Sequence, residues 1–534
     1  MTSGLWLITS GAYVGQELAA EFGQLPPAFL PVGTRRLYEY QLERIGRDHP
    51  VYLTLPETYD IPLEDLGRLE ALGATALAVP EGLSLGEPIV FALNLIAEGD
   101  QPVWILHGDT LIDPVSPDDR DVIGIAASSE GYSWAEVALD GDRIVGLETV
   151  PAGRADESRR PIACGYFAFA HSAALIRGIT RARGSFIGGI VDYAQVHALT
   201  AAPIGAWQDF GHVQTFFRSR RIVTSARSFN AVRIDGRTAR KTSRDRAKMQ
   251  AEAAWLASVP PALRIYTARL IDAGDTDEGA FYETEYGYLP TLAELFVFAT
   301  LGIPVWSQIL RSCEAFLAAG AAGGADTPAD PLLRELAVGK TMARLRRFGE
   351  ETGFNLTGML RYDGHPLPSL MQIAEDLAGR IDFAGGRRAA VMHGDFCFSN
   401  ILYDSRVQRI RVIDPRGHVE AGEPSILGDT RYDLAKFAHS VVGRYDQIIA
   451  GRYRLDPPDG GRYLISFEQA PHHLWLERAM PRFGVDGLHA ADADVRAVTI
   501  CLFLSMLPLH ADRPDRQRAF VANALRLYVG LDSA

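Results

Sequence analysis

Three polar side chains between residues 393 and 414 have the types and spacing that phosphoryl transfer requires. His393, Gly394 and Asp395 follow an apolar run, Asn400 comes five residues after Asp395, and Asp414 ends a further apolar run. Two short strands, residues 401–403 and 407–413, are expected about an Asp404, Ser405, Arg406 turn, and they would bring Asn400 and Asp414 side by side. An acidic and an amide oxygen so placed can hold the magnesium that neutralises a triphosphate, while the separate carboxylate of Asp395 positions the attacking hydroxyl. Upstream, Lys241 sits at the end of the strand-like run RTARKTS and Glu252 in the helix expected to follow. An ammonium there is a point charge able to reach phosphates.

These groups need two kinds of scaffold. In the first part of the chain, short apolar runs (LWLIT, VYLTL, ATALAV, VWILHGD) alternate with helical spacing over Leu37 to Ile45 and Ile89 to Ile96. That alternation predicts helices crossing over a mostly parallel sheet. AEVALDGDRIVGLETV predicts an antiparallel hairpin about Asp140, Gly141 and Asp142, followed by the strand CGYFAFA. From Arg218 to Lys248 there are 11 Lys or Arg against two acids, over segments read as strand (from Ile222), turn, strand and helix (Arg246 to Ala257). This run is either a solvated face or a phosphate-facing lobe. After Leu289 the pattern is mainly helical, broken by a flexible surface loop expected near residues 319–331 and by residues 390–417.

HGDFCFSNIL resembles the catalytic loop, and VIDPRG the metal-binding segment, of the aminoglycoside phosphotransferase and choline kinase superfamily, relatives of the protein kinases. The resemblance implies that Asp395 is the catalytic carboxylate, Asn400 and Asp414 are magnesium ligands, and His393 scaffolds the loop. It also implies that Lys241, paired with Glu252, reaches the α and β phosphates. The turn Ser225 to Asn230 stands where that family covers the phosphates but contains no glycine, so contacts there would come from backbone amides or from Ser228 and Asn230. FYETEYGYLP is expected to form the strand and hinge that carry adenine, with Glu285 to Gly287 supplying backbone hydrogen bonds; an aromatic-packed edge strand is the alternative. In GDTRYDLAKFAHSV, Asp433 is expected to be structural.

Residues 1–222 resemble the nucleotidylyltransferases that activate sugar phosphates. Ser10, Gly11 and Ala12 follow the first strand, Asp109 follows VWILHG, and Asp209 lies in AWQDFGH. The resemblance implies a nucleotide lying on the amides of the small-residue loop, with Asp109 and Asp209 holding magnesium on its triphosphate. The sequence departs from that family in having Pro27 where a lysine stands, and Glu17 and Glu21 where positive charge is expected. His107 is expected to pack rather than ligate.

The implied fold class is α/β. A Rossmann-like mixed sheet of the nucleotidyltransferase, GT-A-like kind spans 1–222, and a bilobal protein-kinase-like α+β domain spans 223–534, with an N-lobe over about 223–289 and a helical C-lobe over about 290–534. The implied chemistry is bifunctional: ATP phosphorylates a sugar, polyol or amino alcohol, and a second NTP activates that phosphate toward surface polysaccharide. The alternative is an active kinase carrying a degenerate, regulatory or substrate-binding first domain.

The bulk properties agree with a folded enzyme. The chain has 534 residues, 47 % hydrophobic and 22 % charged, which suits two or more domains and excludes disordered and disulfide-scaffold classes. A net charge of -13 weighs against a nucleic-acid binder or scaffold built on the basic run. The start MTSGLWLITSG reads as a first strand rather than a signal peptide, and Val498 to Leu509 is too short to span a bilayer and reads as a buried helix. Cys164, Cys313, Cys397 and Cys501 lie far apart, without paired spacing, which fits a reducing cytoplasm. Expected partners are a small hydroxyl substrate, its phosphate and nucleotides, with no nucleic acid and no membrane, and a homo-oligomer left open.

Overall fold

The computed structural model describes residues 4–128, 131–153, 160–225, 231–418, 424–456 and 462–532. The chain divides into two compact units, Met1–Thr224 and Ser225–Ala534.

The first unit is built on a nine-stranded mixed sheet. Its strand order is Ala74–Val79, Val51–Pro56, Leu5–Thr9, Val103–His107, Arg160–Phe169, Val122–Ser128, Thr200–Pro203, Arg143–Val150 and Trp134–Asp140. The first four strands pair in parallel, and Arg160–Phe169 then runs antiparallel to Val103–His107. Leu5–Thr9 and Val103–His107 are apolar at consecutive positions because both sheet faces are covered. Leu5, Leu7, Val103 and Ile105 enter one core with Ile89, Leu175 and Phe186 from the helices on that face. Trp6, Ile8, Trp104 and Leu106 enter the opposite core with Tyr38 and Leu42 of the helix Leu37–Ile45. Because the four strands are parallel, the turns after Thr9, Val79 and His107 all emerge at one sheet edge, where an α/β sheet presents its ligand crevice.

The second unit begins with a four-stranded antiparallel sheet in the order Ala231–Ile234, Thr238–Ser243, Gly279–Glu285, Leu270–Thr276. The helix Arg246–Ser258 is started by Asp245, whose side chain accepts from the Lys248 amide. The rest is mainly helical. Ala493–Met506 is buried on nearly every side, and Thr430–Val441, Lys340–Thr352 and Pro514–Val529 pack around it. The short ladder Ile401–Asp404 with Arg409–Val412 is inserted among these helices, in the register Ile401 opposite Val412. All four cysteines are free and buried.

The structure corrects three expectations. Ile222 to Ser225 does not open a strand: it ends the helix Val213–Ser225, because Phe216 and Phe217 pack onto Phe22 and impose helical spacing on a β-branched stretch. Residues 319–331 are not a loop, since the helix Ile303–Ala322 runs into them and Ala325–Pro328 pairs with Arg388–Val391. Gly320 makes this possible, its Cα face lying against the Val391 carbonyl, 2.6 Å from where a Cβ would stand. The apolar helix near the end is longer than Val498 to Leu509: one segment, Ala493–His510, is long and apolar enough to cross a membrane by length and composition, and 67 % of it is buried inside the protein.

Candidate functional site

The loop after Arg388–Val391 is held by its backbone. The amides of His393 and Gly394 donate to the two carboxylate oxygens of Asp433 at 2.7 and 2.8 Å. His393, fully buried, donates from Nε2 to the Ile413 carbonyl at 3.0 Å and accepts from the Asp395 amide at Nδ1 at 3.2 Å, which defines one neutral tautomer. Burial pushes its pKa down to about 4, so the ring is a fixed strut between the loop and the Asp414 strand. Gly394 has φ +77°, and a Cβ there would lie 2.6 Å from Arg416 Cβ, so this turn requires glycine.

Asp395 and Asn400 then meet. Asn400 Nδ2 donates to the Asp395 carbonyl at 3.0 Å and to its Oδ2 at 2.9 Å. Lys436 Nζ lies 2.7 Å from Asp395 Oδ1. Burial opposes ionisation of Asp395, but the Lys436 ammonium outweighs it and holds the carboxyl well below the usual range. The Ile413 amide donates to the Asn400 carbonyl at 3.0 Å, which brings the Asp414 segment alongside Asn400.

Asp414 adopts φ +54°, an uncommon conformation for a non-glycine residue, and its side chain remains 42 % exposed. Its Oδ1 accepts from Lys241 Nζ at 3.1 Å and from the Tyr282 hydroxyl at 3.0 Å. Lys241 also reaches Glu252 Oε2 at 2.8 Å. Burial works against the Lys241 charge, but Asp414 and Glu252 outweigh it and hold its pKa above the ordinary value. Lys241 and Tyr282 are opposite one another on neighbouring strands, so one pair of cross-strand side chains meets the Asp414 carboxylate.

Lys241, Glu252, Asp395, Asn400, Asp414 and Lys436 line one cleft of about 320 Å³. The basic run is divided in its role: Lys241 and Lys248 line the cleft, while Arg240 and Arg246 pair with Glu283 and Asp275 at 3.9 and 2.9 Å. With Asn400 Nδ2 committed to Asp395, its amide oxygen and Asp414 Oδ2 make no hydrogen bond among the described residues. Two hard oxygens on neighbouring segments fit a magnesium ion that takes its remaining ligands from phosphate and water. Among the described residues no group of three or more His, Cys, Asp or Glu side chains forms a metal cage.

Ser228 and Asn230 lie outside the described residues. Glu285 and Gly287 are not among the residues lining the cleft. The Glu285 amide donates to the Arg269 carbonyl at 3.0 Å and the Tyr286 amide to Arg237 at 2.8 Å, so neither is spare for a base; the Gly287 amide makes no hydrogen bond among the described residues.

In the first unit a cleft of about 270 Å³ is lined by Ser10, Gly11, Ala12, Pro27, His107 and Asp109 among others. Ser10 serves the loop itself: its hydroxyl accepts from the Ala28 amide at 3.0 Å and its amide donates to Thr54 Oγ1 at 3.0 Å. The Gly11 and Ala12 amides make no hydrogen bond among the described residues and are available to a ligand. Glu17 and Glu21 lie on the helix Gln16–Phe22 and do not line the cleft. His107 packs at 5.4 Å from Phe167 and 6.1 Å from Phe186, and burial pushes its pKa down to about 4.

Asp109 lines this cleft, and Asp209 comes close to it. Asp209 pairs in register with Thr110, and a Cβ on Gly211 would stand 2.5 Å from Asp109 Oδ2 and 3.4 Å from Asp209 Oδ1. Asp209 is held by the Thr215 hydroxyl and by His212 Nδ1 at 3.3 Å. Burial and then the Asp209 charge push Asp109 up to about 6. Two adjacent carboxylates, one of them held above its ordinary pKa by burial and by the other's charge, fit a divalent cation. Among the described residues no Lys or Arg lines this cleft.

Lys436, Tyr282, Lys340, Arg344 and Arg416 were not singled out from sequence, although all line or abut the second cleft. Lys436 had a signal, since it follows Asp433 by three residues on one helix and therefore shares its face.

No protein-family model and no curated protein matches the sequence. Solved nucleotidyltransferases match its N-terminal part and aminoglycoside phosphotransferases its C-terminal part. A UDP-glucose pyrophosphorylase complexed with UDP-glucose is 13 % identical, with 42 % of this chain and 100 % of that chain covered and a TM-score of 0.33. Aminoglycoside phosphotransferase APH(4)-Ia is 15 % identical, covering 56 % and 89 %, with a TM-score of 0.32. Spectinomycin phosphotransferase APH(9)-Ia, in complex with ADP and spectinomycin, is 9 % identical, covering 58 % and 91 %, with a TM-score of 0.32. What the two clefts can do follows from their own residues.

Proposed function

We propose that the second unit, residues 223–534 by its motifs, transfers the γ-phosphoryl group of ATP to the hydroxyl of a small molecule. The observation that carries this reading is Asp414, bonded to Lys241 at 3.1 Å on one side and running beside Asn400, whose amide is tied to Asp395, on the other. Lys241, kept protonated by Asp414 and Glu252, orients the α and β phosphates. Asn400 and Asp414 would hold magnesium, which supplies charge neutralisation on the triphosphate. Asp395 accepts a hydrogen bond from the acceptor hydroxyl and receives its proton as the new O–P bond forms and the bond to the β-phosphate oxygen breaks, releasing ADP. Its depressed pKa makes it a positioning acceptor first and a base only as the hydroxyl acidifies late in the transfer. The Gly287 backbone, and backbone amides of the Ser225 to Asn230 turn or the Ser228 and Asn230 side chains, are proposed to meet the nucleotide.

For the first unit, we propose that Gly11 and Ala12 receive a nucleotide and that Asp109 and Asp209 hold its metal, so that the phosphate made by the second unit is joined to a nucleoside monophosphate with release of pyrophosphate. The product would serve surface polysaccharide synthesis. That no Lys or Arg among the described residues lines that cleft favours a second reading, in which the unit is degenerate, regulatory or substrate-binding and does not catalyse transfer. Four buried free thiols accord with a cytoplasmic setting.

One experiment tests both units. Purified protein is given magnesium, ATP and each other NTP with a panel of sugars, polyols, amino alcohols and their phosphates, and ADP and pyrophosphate are read separately. ADP from a free compound with pyrophosphate from its phosphate supports two coupled transferases, and ADP alone supports the second reading. No ADP with any acceptor, together with no ATP binding, removes the kinase.

A further inference from the structure

The side of the second cleft away from Lys241 carries more positive charge than transfer to a neutral acceptor needs. Lys340 and Arg344 stand one turn apart on the helix Lys340–Thr352 and line the cleft with Asp395, Lys436 and Arg416. Lys436 is neutralised by Asp395 at 2.7 Å. The other three hydrogen-bond only to neutral partners among the described residues, although Asp395 also acts on the Lys340 charge without a direct ion pair. Lys340 Nζ donates to the Tyr432 hydroxyl, Arg344 Nη1 to the Ser505 carbonyl at 3.2 Å, and Arg416 Nε to the His418 carbonyl at 3.0 Å.

Like charges this close and half-buried repel one another, because neither water nor a carboxylate screens them fully. Burial, followed by Arg416, Lys436 and Arg344, pushes Lys340 well below its ordinary pKa. Such a cluster costs stability in the empty protein and is relieved when an anion arrives. ATP does not account for all of it. Lys241, Asn400 and Asp414 meet the phosphates from the strand side, and Arg416 is two residues from Asp414, whereas Lys340 and Arg344 come from a helix packed on Ala493–Met506.

We propose that Lys340 and Arg344 bind an anionic group, a carboxylate or a phosphate monoester, carried by the acceptor whose hydroxyl meets Asp395. This rests on the phosphotransferase reading above. A guanidinium and an ammonium on one helix turn match the two or three oxygens of such a group, the guanidinium in bidentate fashion. A cationic acceptor would meet repulsion from Lys340, Arg344, Arg416 and Lys436, and the Asp395 carboxylate beside them is already paired with Lys436.

The test uses the full chain with magnesium and a non-hydrolysable ATP analogue. Glucose, glucosamine, glucuronate, glucose 6-phosphate and inorganic phosphate are titrated calorimetrically into wild type, Arg344→Gln and Lys340→Met, and ADP formation is followed in parallel with MgATP. The expected result is at least tenfold tighter binding of an anionic probe than of glucose or glucosamine, lost in Arg344→Gln with affinity for the ATP analogue unchanged. Glucuronate against glucose 6-phosphate separates carboxylate from phosphate. Lys340→Met could loosen the Tyr432 contact, so its melting temperature is measured alongside and the conclusion is drawn from Arg344→Gln. Preference for a neutral or cationic probe, equal loss of ATP-analogue binding in Arg344→Gln, or no binding of any probe overturns the anion site. Anion binding without any ADP formation keeps the site and removes the phosphotransferase reading; ADP formation from neutral acceptors that is indifferent to Arg344 does the reverse.

Discussion

Lys436 Nζ lies 2.7 Å from Asp395 Oδ1, on the same helix whose Asp433 ties down the amides of His393 and Gly394. The helix Thr430–Val441 thus fixes the backbone of the loop and neutralises its carboxylate at once. Without that ammonium the half-buried carboxylate would lose its counter-charge and take up a proton or more water, and either change displaces the acceptor hydroxyl.

Lys436→Met is expected to lower kcat by ~10²-fold, the scale of losing one preorganised electrostatic contact, with KM for ATP changed little. Asp395→Asn is expected to lower kcat by ~10³-fold or more with ATP binding retained. Steady-state kinetics with calorimetric ATP binding check both, and normal turnover in Asp395→Asn would remove the role given to the loop.

Lys241 has two carboxylate partners and Glu252 depends mainly on Lys241, so substitutions at the two ends of the pair should differ. Lys241→Met leaves the buried Glu252 with only Lys248, 3.8 Å from its Oε1, beside the part-exposed Asp414, and is expected to cost both ATP binding and several degrees of melting temperature, as removing one partner of a buried pair costs about 3–5 kcal/mol. Glu252→Gln leaves Lys241 on Asp414 and should retain measurable turnover with a raised KM for ATP. Equal losses in the two variants would contradict this order.

Asp109 belongs to the first unit, and its carboxylate opposes that of Asp209. Asp109→Ala should leave ADP formation by the second unit within about twofold of wild type, since the site at Asp395 shares none of its residues. Any pyrophosphate release from the acceptor phosphate should disappear in the same variant. A large loss of ADP formation would show coupling between the units.

Asp446 supplies a pH-dependent stability term. Burial pushes its carboxyl up to about 7, the Ser440 hydroxyl working the other way, and its Oδ2 is buried without a hydrogen bond. The neighbouring Cys397 thiol and Tyr445 hydroxyl are pushed up by burial and stay neutral, so neither compensates. Between the ordinary carboxylate range and pH 7 the folded chain keeps a proton that the unfolded chain has released, so stability falls as pH rises through that window. Asp446→Asn removes this titration. Its melting temperature relative to wild type should therefore increase from about pH 5 to about pH 8, and a difference independent of pH would exclude the effect.

Much of the second site is written locally. HGDFCFSN and VIDPRG lie on one short stretch, and the ladder Ile401–Asp404 with Arg409–Val412 closes around its own turn, so neighbours in sequence already specify Asn400 beside the Asp414 segment. Lys241 and Glu252 are eleven residues apart, joined by one turn into one helix, and come to 2.8 Å for the same reason. The alternation of apolar runs likewise anticipates the parallel strands of the first unit, since a strand buried on both faces must be apolar at successive positions.

Tertiary packing decided the rest. Tyr282 on Asp414, Lys340 and Arg344 on the second cleft, and the Ser10 hydroxyl spent on the Ala28 amide each depend on where separate elements come to rest, which no period of 2 or 3.6 residues encodes. The helix Val213–Ser225 shows the converse: its last residues have strand-forming side chains, but burying Phe216 and Phe217 against Phe22 outweighs the few tenths of a kcal/mol by which propensity opposes it. Sequence alone determined which residues can do chemistry and in what order they stand; only the folded structure decided which charges would be neutralised and which would be left for a ligand, because that balance is set by partners far away in the chain.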